Sequence, residues 1–441
     1  MDLAWISLAA LFAVIIISCT TSVNPGVLSV ALAWMIGVYL APACGYDLGI
    51  RDVVAGFPAD LFLTLVGVTL LFTQAQVNGT LDKVSQLAVR CCRGNVGLIP
   101  VMFFLLAFGL SAVGAGNIAA AALMAPMAMA VAERAGISAF LMTVMVAHGT
   151  LAGALSPFAP TGIIANNLMR DKMGLSGVEA ATFGYNLLAH VLVAFGGYLL
   201  LGGWRLFSRS FTDREPIRPV IDVANPSAAT SDDRSTSNGK AADMRPRQWL
   251  TLCVVGVLIV GVVFGQWNVG MAAFAGAAVL TLARAADESQ AVRNMPWSVI
   301  VMVCGVTVLT SLLEKTGGID RFAEIIARVS SPRTVTPVIA ALTGIVSVYS
   351  STSGVVLPAF LPMVPKLVVQ LGGGDSRNIA LSVIVGGHLV DSSPLSTIGA
   401  LCIASAPVTA DRRLLFNKVM IWGLSMTLVG AGLCYLLFGR I

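Results

Sequence analysis

Charged side chains are scarce in this 441-residue sequence. Only 11% of its residues are Asp, Glu, Lys or Arg, whereas 57% are hydrophobic and the mean hydropathy is +0.86. This balance excludes a soluble domain. Apolar stretches of spanning length recur along the chain, which predicts a polytopic helical membrane protein.

The sequence also lacks a cysteine framework and a cleavable signal. Its eight cysteines are scattered, and Cys91 and Cys92 are adjacent and not in a metal-ligand spacing. Neither a disulfide framework nor a zinc site is therefore expected. Leu3–Ser18 has no basic start and no A-x-A-like end, so we interpret it as a membrane span. The net charge of +5 lies largely in loops and indicates orientation, not a nucleic-acid partner.

The apolar stretches divide the chain into two halves, residues 1–204 and 248–441. Those of the first half are Leu3–Ser18, Pro25–Ala41, Leu61–Gln76, Phe140–Leu155 and Phe183–Gly203. Residues 205–247 are polar and rich in Pro and Ser, which predicts a flexible linker. Asn78–Arg93 has apolar residues on one helical face, as in a helix that lies in the membrane interface.

Motifs of the first half return after the linker. Gly67-Val68-Thr69 reappears as Gly305-Val306-Thr307, and Pro58 reappears as Pro296 at the same offset. Asn24-x-Gly26 has a counterpart in Asn268-x-Gly270, and Ser156-Pro157-x4-Gly162 has one in Ser393-Pro394-x4-Gly399. This ordered series indicates an internal duplication.

An odd number of spans per half inverts the second half relative to the first. We therefore expect an all-α integral membrane protein of two inverted repeats, with ten spans and two re-entrant hairpins, as in secondary transporters. A cytoplasmic linker puts both termini on the outer side of the cell (inner) membrane. Of the 27 Lys and Arg residues, 17 then lie inside and 10 outside, in agreement with the positive-inside rule.

The first hairpin is predicted at about residues 96–132, with Asn117 near its tip. Gly114 and Gly116 would interrupt a membrane helix there, and Pro126 would strain it. Non-helical backbone at membrane depth survives only where protein buries it or where it lines a cavity. The Asn117 amide can donate to a carboxylate or coordinate a small cation. The alternative is an interhelical hydrogen bond that only stabilises the bundle.

The second hairpin is predicted at about residues 335–370. Its tip offers hydroxyl groups and a flexible bend in Ser350, Ser351, Thr352, Ser353 and Gly354. Ser353 precedes Pro362 by the spacing that separates Asn117 from Pro126. The alternative is a Ser/Thr-rich helix-packing surface.

A broken helix follows each hairpin. Pro157, Pro160 and Gly162 interrupt the first, and Pro394 and Gly399 interrupt the second. Such breaks expose helix N-termini, which attract anions, and free carbonyls, which coordinate cations. The nearby side chains expected in the cavity are Thr161, Asn166, Ser396 and Thr397. A simple proline kink is the alternative.

Ionisable residues inside apolar stretches are functional candidates. His148 and His388 are expected near the start of equivalent helices, and Asp391 follows His388 by three residues. His388 and Asp391 are a candidate proton relay, although either histidine could instead bond a carbonyl near an interface. His190 is expected at the interface. No arginine lies securely in the predicted cavity, so an anionic substrate would depend on amides, helix dipoles and bound cations.

The tips and broken helices resemble the ion transporter superfamily, specifically the divalent anion:sodium symporters and bacterial malonate carriers. That family has a Ser-Asn-Thr motif at each tip and a proline about nine residues after its Asn. Asn117 and Pro126 match the first set, and Gly162 and Asn166 match the Gly-Thr-Pro-Pro-Asn-like motif in spacing. The second tip, Ser351-Thr352-Ser353, lacks the Asn, and so does the segment after Gly399. The resemblance covers nearly the whole chain apart from the linker.

The resemblance implies uptake of a small dicarboxylate, with malonate as the best single candidate, driven by sodium ions or protons and with no other cofactor. It also implies homodimers in which a transport domain moves like an elevator in the bilayer. The predicted substrate-binding residues are Asn117, Ile118, Thr161, Gly162, Asn166, Thr352, Ser353, Ser396 and Thr397. The predicted cation-binding residues are Gly114, Gly116, Asn117, Gly162, Ser350, Ser351, Ser353 and Gly399.

Other functions remain open from the sequence. Within transport, the alternatives are a proton-driven organic-acid carrier and a sodium/proton antiporter. An intramembrane serine hydrolase would use Ser351 or Ser353 with His388, but no G-x-S-G motif is present. A passive channel does not suit two closed hairpins that meet at one site. We therefore expect a transporter and not an enzyme.

Overall fold

The structure is a computed structural model that describes residues 2–21, 23–81, 83, 95–209, 244–265, 267–349, 351–407 and 410–439. Ser350, most of the amphipathic segment 78–93 and linker residues 210–243 lie outside the described residues. Within the described ranges, seven helices are long and apolar enough to cross a membrane. They are Pro25–Ala43, Ala59–Val77, Leu98–Ala135 (bent at residues 111–115), Glu179–Leu200, Trp297–Thr316, Thr352–Leu371 and Arg412–Phe438.

The described chain is all-α, and its two halves contain matching series of helices. The first series is α1 (Leu3–Thr20), α2 (Pro25–Ala43), α3 (Ile50–Ala55), α4 (Ala59–Val77), α5 (Leu98–Leu110), α6 (Gly116–Ala135), α7 (Ala139–Gly153), α8 (Pro160–Met173) and α9 (Glu179–Leu200). The second is α10 (Pro246–Gly265), α11 (Val269–Leu282), α12 (Glu288–Asn294), α13 (Trp297–Thr316), α14 (Gly318–Arg328), α15 (Val335–Tyr349), α16 (Thr352–Leu371), α17 (Ser376–Val390), α18 (Thr397–Ala404) and α19 (Arg412–Phe438).

The repeated motifs occupy equivalent places in these two series. Pro58 and Pro296 immediately precede α4 and α13. Asn24 and Asn268 are the N-caps of α2 and α11, where the side-chain oxygen of each accepts a backbone N–H. The sequence repeat therefore corresponds to a repeat of helix starts.

Glycines join the two halves into one bundle. α2 packs against α13, and a Cβ on Gly26 or Gly305 would overlap the backbone of the other helix. α11 packs against α4 in the same way at Gly270 and Gly67. Small residues let membrane helices approach closely enough for backbone contact. Each half thus depends on the other for the packing of its second and third long helices.

The chain changes direction at a glycine-rich bend between α5 and α6. Gly114 and Gly116 have φ values of 131° and 80°, which side chains with a Cβ rarely adopt. The ring of Phe72 from α4 lies where a Cβ on Gly114 would be. The two helices flanking the bend pack against each other. The predicted interruption at the two glycines is therefore present.

The second bend, between α15 and α16, is held by hydroxyl groups and not by glycines with positive φ angles. The Ser351 hydroxyl accepts the backbone N–H of Gly354 at 3.2 Å and caps the π-helical turn Thr352–Val356. Residues 352–364 are buried. The side chain of Met302 from α13 lies where a Cβ on Gly354 would be.

Both predicted broken helices are interrupted by irregular backbone. Residues 154–159 separate α7 from α8, and residues 391–396 separate α17 from α18. A Cβ on Gly162 would overlap the carbonyl of Ser156, and one on Gly399 would overlap the carbonyl of Ser393. These are breaks and not proline kinks, because each chain leaves the helix and starts a new one.

Two expectations about histidines were wrong. His148 and His388 lie in the C-terminal parts of α7 and α17, not near their starts, because each helix begins well before its histidine. His190 is not interfacial but fully buried in the middle of α9, where its ring contacts His148.

Candidate functional site

A cavity of about 230 Å³ lies where the two bends meet α2, α13 and the break between α17 and α18. That volume corresponds to roughly eight water molecules at about 30 Å³ each. The cavity is lined by Thr21, Val23, Asn24, Pro25, Asn117, Ile118, Ser298, Met302, Ser351, Ser353, Asp391, Leu395, Ser396, Thr397 and Ile398. Ser353, Asp391 and Ser396 are buried, whereas the exposed lining residues are Thr21, Val23, Ser298, Leu395 and Thr397. The mouth therefore lies between the α1–α2 connection, the start of α13 and the break before α18.

Five helices present residues of their N-terminal ends to this cavity. These residues are Asn24 and Pro25 of α2, Asn117 and Ile118 of α6, Ser298 of α13, Ser353 of α16 with its cap Ser351, and Thr397 and Ile398 of α18 with its cap Ser396. The free N–H groups and the dipole at a helix N-terminus favour negative charge. No Lys or Arg is among the lining residues. The cavity can therefore attract an anion by helix ends and neutral donors.

Asn117 occupies the start of α6 at the first bend. Its side-chain oxygen accepts the backbone N–H of Ile118 at 3.0 Å. Because that contact uses the oxygen, the NH₂ group is the part of the amide that can donate to a solute. This orientation suits a carboxylate better than a cation.

Asp391 is the one acidic residue among the lining residues. It caps the C-terminus of α17 and is 7% exposed, and its Oδ1 accepts the hydroxyl of Ser347 at 3.1 Å. Ser347 also bonds Thr352 at 2.6 Å, and Ser396 donates to the Asp391 carbonyl oxygen. A carboxylate held beside an anion-attracting cavity creates a place for a cation or a proton.

The structure brings together part of the predicted site. Asn117, Ile118, Ser351, Ser353, Ser396, Thr397 and Asp391 all line the cavity. The predicted residues that do not line it are Gly114, Gly116, Thr161, Gly162, Asn166, Thr352, His388 and Gly399. Ser350 lies outside the described residues. Of the predicted residues that line the cavity, most belong to the second half, and the first half contributes Asn117 and Ile118 at its bend.

The first broken helix lies behind the bend and not in the cavity. Pro160, which begins α8, lies 3.2 Å from where a Cβ on Gly116 would be. Thr161 is buried, and the backbone N–H of Gly162 donates to the carbonyl of Ala154 at 3.0 Å. The side-chain oxygen of Asn166 is buried without a protein partner. The first broken helix therefore packs behind the first bend, and its polar groups do not line the cavity.

Sequence reasoning missed the lining residues of α2 and α13, and also Thr21, Val23, Leu395 and Ile398. Asn24 donates through its NH₂ group to the Ser298 carbonyl at 2.9 Å and hydroxyl at 3.1 Å. Met302 lies one turn further along α13. The one available signal was the repeated Asn-x-Gly motif, which marks a helix start but not what faces it.

The candidate relay pair is not joined directly. Both ring nitrogens of His388 are buried without a hydrogen-bond partner, so no bond links the imidazole to Asp391 or to a serine. This geometry also lacks the serine–histidine contact that a serine hydrolase requires.

A second cavity of about 230 Å³ lies toward the opposite end of α13. It is lined by Pro58, Ala59, Asp60, Leu61, Asn167, Leu168, Asp171, Lys172 and Thr307. Lys172 of α8 bonds Glu314 of α13 at 2.7 Å next to it. The first cavity touches α13 at Ser298 and Met302, so the two cavities are separated along this helix.

Two family models match the chain, one in each half. Residues 1–154 match the model described as the dicarboxylate carrier protein MatC N-terminus. Residues 248–440 match the model described as the anaerobic C4-dicarboxylate membrane transporter. No curated protein matches the chain significantly.

Solved structures of transporters share this fold. MtrF of Neisseria gonorrhoeae, described as one of a class of antimetabolite efflux pumps, is 12% identical, with a TM-score of 0.57 and 94% of each chain covered. The YdaH transporter of Alcanivorax borkumensis is 14% identical, with a TM-score of 0.56, 99% of this chain and 98% of its own covered. At such identities the similarity concerns the fold alone.

Proposed function

Because this chain is a multi-pass membrane transporter, and not an enzyme, whose halves match dicarboxylate-carrier families, we propose that it imports a small dicarboxylate together with cations. Malonate is the substrate we favour. Sodium ions are the coupling ions we favour, and protons are the alternative. The cell (inner) membrane is the proposed location, with the linker cytoplasmic and both termini outside.

The observation that carries the proposal is the charge balance of the first cavity. Helix N-termini contribute about half a positive charge each, but only over a short range. A dicarboxylate adds two negative charges beside Asp391, and no Lys or Arg lines the cavity to offset them. Cations that enter with the substrate would supply the missing positive charge. Coupling then follows from electrostatics, since substrate without cation binds weakly.

The two cavities support an alternating-access mechanism. They touch α13 at different levels, the first at Ser298 and Met302 and the second at Thr307. Two opposed re-entrant hairpins, formed by α5–α6 and α15–α16, would carry the site between the two sides as an elevator. Ten spans, two inverted repeats and a homodimer in the bilayer belong to this proposal.

The test is uptake of radiolabelled malonate into proteoliposomes under a sodium gradient and, separately, a proton gradient. Succinate and citrate are the competitors. Asn117→Ala is the test variant, and Asn268→Ala, at the α11 N-cap away from the cavity, is its matched control. We expect sodium-driven accumulation that Asn117→Ala abolishes and Asn268→Ala retains. No uptake of any dicarboxylate under either gradient would overturn the proposal.

A proton-driven organic-acid carrier is the second candidate, and Asp391 favours it. A buried carboxylate can be neutralised by a proton, because burial opposes its charge. Accumulation under a proton gradient alone would select this candidate. Sodium-dependent proton flux without any dicarboxylate would instead indicate a sodium/proton antiporter.

A further inference from the structure

The chain contains three histidines, and all three lie in one buried cluster. His148 is on α7, His190 on α9 and His388 on α17, and each is fully buried. The ring centroids of His148 and His190 are 5.2 Å apart, and those of His190 and His388 are 6.3 Å apart. Ionisable residues buried inside a membrane are costly and are therefore functional candidates by default.

Trp422 of α19 determines the tautomer of His148. The indole N–H of Trp422 lies 2.8 Å from His148 Nε2. An indole can donate a hydrogen bond but cannot accept one, so Nε2 is the acceptor. The neutral His148 ring therefore carries its proton on Nδ1.

The tautomer of His190 follows from that of His148. The two Nδ1 atoms are 2.9 Å apart, so the protonated Nδ1 of His148 donates to Nδ1 of His190. The neutral His190 ring then carries its proton on Nε2. That nitrogen is buried without a protein partner. The chain of donors thus runs from Trp422 through His148 and His190 toward His388.

His388 stands at the end of this chain with both ring nitrogens unpartnered. A buried donor or acceptor left unsatisfied costs about 1–3 kcal/mol. Internal water molecules typically occupy polar sites where several such groups converge. Here the rings of His190 and His388 are neighbours at 86° with their centroids 6.3 Å apart, and the nitrogens of both that lack a protein partner are buried.

We propose that an internal water molecule bridges His190 Nε2 and His388, and that His388 is the proton-binding imidazole of the cluster. In the neutral state this water accepts the His190 N–H and donates to the one lone pair of the neutral His388 ring. When a proton adds to that lone pair, the water turns to accept from both rings, so its bond to His388 reverses direction and is not lost. At His148 the indole N–H of Trp422 cannot turn to accept, and at His190 the Nδ1–H of His148 cannot, so proton uptake at either ring would set two N–H groups against each other.

Charge on His388 needs a nearby counter-charge, because burial opposes it. Asp391 lies three residues later on the same helix, at the cavity. His190 on α9 and, behind it, His148 on α7 are the other ionisable groups of the cluster, and α19 contributes neutral Trp422. Other charged residues lie on the described helices that pack against α17, near the ends of those helices. They are Arg170, Asp171 and Lys172 of α8, Glu179 of α9, Lys366 of α16, and Arg412, Arg413 and Lys418 of α19.

The direct test is nitrogen NMR of the full-length protein in lipid nanodiscs, labelled with ¹⁵N only in histidine. Three rings give an assignable spectrum, and His→Gln variants identify each one. We expect the Nδ1–H tautomer for His148, the Nε2–H tautomer for His190, and proton uptake at His388 before either other ring as the pH is lowered. An Nε2–H tautomer at His148, titration of another ring first, or no titration at all would overturn the proposal.

Trp422→Phe is the matched variant, because it removes the cap and keeps an aromatic ring. It should free Nε2 of His148 and add a second titrating ring to the spectrum. If the cluster had only a structural role, no second titrating ring would appear in this variant. An unchanged titration would contradict the chain of donors that runs from Trp422 through His148 and His190.

The link to transport rests on the proposed function and has a separate readout. In proteoliposomes, His388→Gln should remove the dependence of uptake on pH while uptake itself persists. If NMR shows titration but no dicarboxylate is transported, the proposed function fails and the proton site stands. If transport occurs but His388 does not titrate, the proton site fails alone.

Discussion

Asn24 and Asn268 occupy equivalent positions in the two halves, yet only Asn24 lines the candidate site. Both cap a helix: Asn24 accepts the Gly26 N–H at 2.9 Å, and Asn268 accepts the Met271 N–H at 3.1 Å. Asn24 in addition holds Ser298 through its NH₂ group. The duplication thus provides a control residue with the same local role in a different place.

Asn24→Ala should therefore impair uptake, whereas Asn268→Ala should not. Both variants lose a cap worth about 1 kcal/mol, and Asn24→Ala also loses the bonds to Ser298, so its thermal stability should fall somewhat more. Only Asn24→Ala removes a polar group from the cavity wall, and its KM for the dicarboxylate should rise. Equal transport kinetics in the two variants would argue against the cavity as the binding site.

Asp391→Asn should separate substrate binding from coupling. The amide keeps the size of the side chain but removes the charge that a cation or proton neutralises. Substrate exchange without a gradient should persist, while accumulation driven by a gradient should decline. Exchange and accumulation assays in proteoliposomes measure the two effects. Asp411→Asn, at the exposed N-cap of α19, is the control, and gradient-driven accumulation at wild-type level in Asp391→Asn would exclude the coupling role.

At the scale of helices, the crossings of α2 with α13 and of α11 with α4 are backbone contacts that permit no side chain. Gly305 lies against the backbone of Gly26, so an added methyl group has nowhere to go. A flexible side chain could move aside, but a helix backbone cannot move without disturbing its neighbours.

Gly305→Ala should destabilise the bundle by about 1–3 kcal/mol, the usual cost of overpacking. Gly256→Ala is the matched control, because a Cβ there meets no atom within 4 Å. Thermal unfolding in detergent should show a lower transition for Gly305→Ala and an unchanged or higher one for Gly256→Ala. Equal transitions for both would contradict the tight crossing.

At the scale of the whole molecule, two ion pairs connect proposed moving parts with their surroundings. Lys172 of α8 bonds Glu314 of α13 at 2.7 Å, and Lys366 of α16 bonds Asp320 of α14 at 3.0 Å. Both pairs are partly exposed, and such pairs contribute about 0–1 kcal/mol. Such pairs can shift the equilibrium between the two positions of the proposed moving part, but they are too weak to hold it in one position.

Glu314→Lys should change the initial uptake rate by less than about fivefold, as expected from the loss of about 1 kcal/mol. The exchanged pair, Lys172→Glu with Glu314→Lys, should restore the rate, because the attraction returns with reversed charges. Uptake assays on the two single variants and the double variant form a cycle that measures the coupling. Additive effects in the double variant would show that the pair has no part in transport.

Local chemistry in the sequence predicted much of the framework. Apolar runs determine which segments can cross a bilayer, and glycine and proline determine where a helix must stop, so the bends at Gly114 and Gly354 and both broken helices could be expected. Asn117 and Ser396 were found for the same reason, since each stands where a helix begins. The repeat was visible because its motifs mark helix starts.

Only the tertiary structure decided which of these features meet. Thr161 and Asn166 follow a break like that before Thr397, yet α8 lies behind the first bend and α18 lies at the cavity. Asn24 and Ser298 are 274 residues apart, and His190 lies 42 residues after His148 and 198 before His388, so helix packing brings each set together. Sequence periodicity records which face of a helix is apolar, but not which neighbour covers that face. The meeting of distant helices, and therefore the site, depends on the packing of the whole bundle.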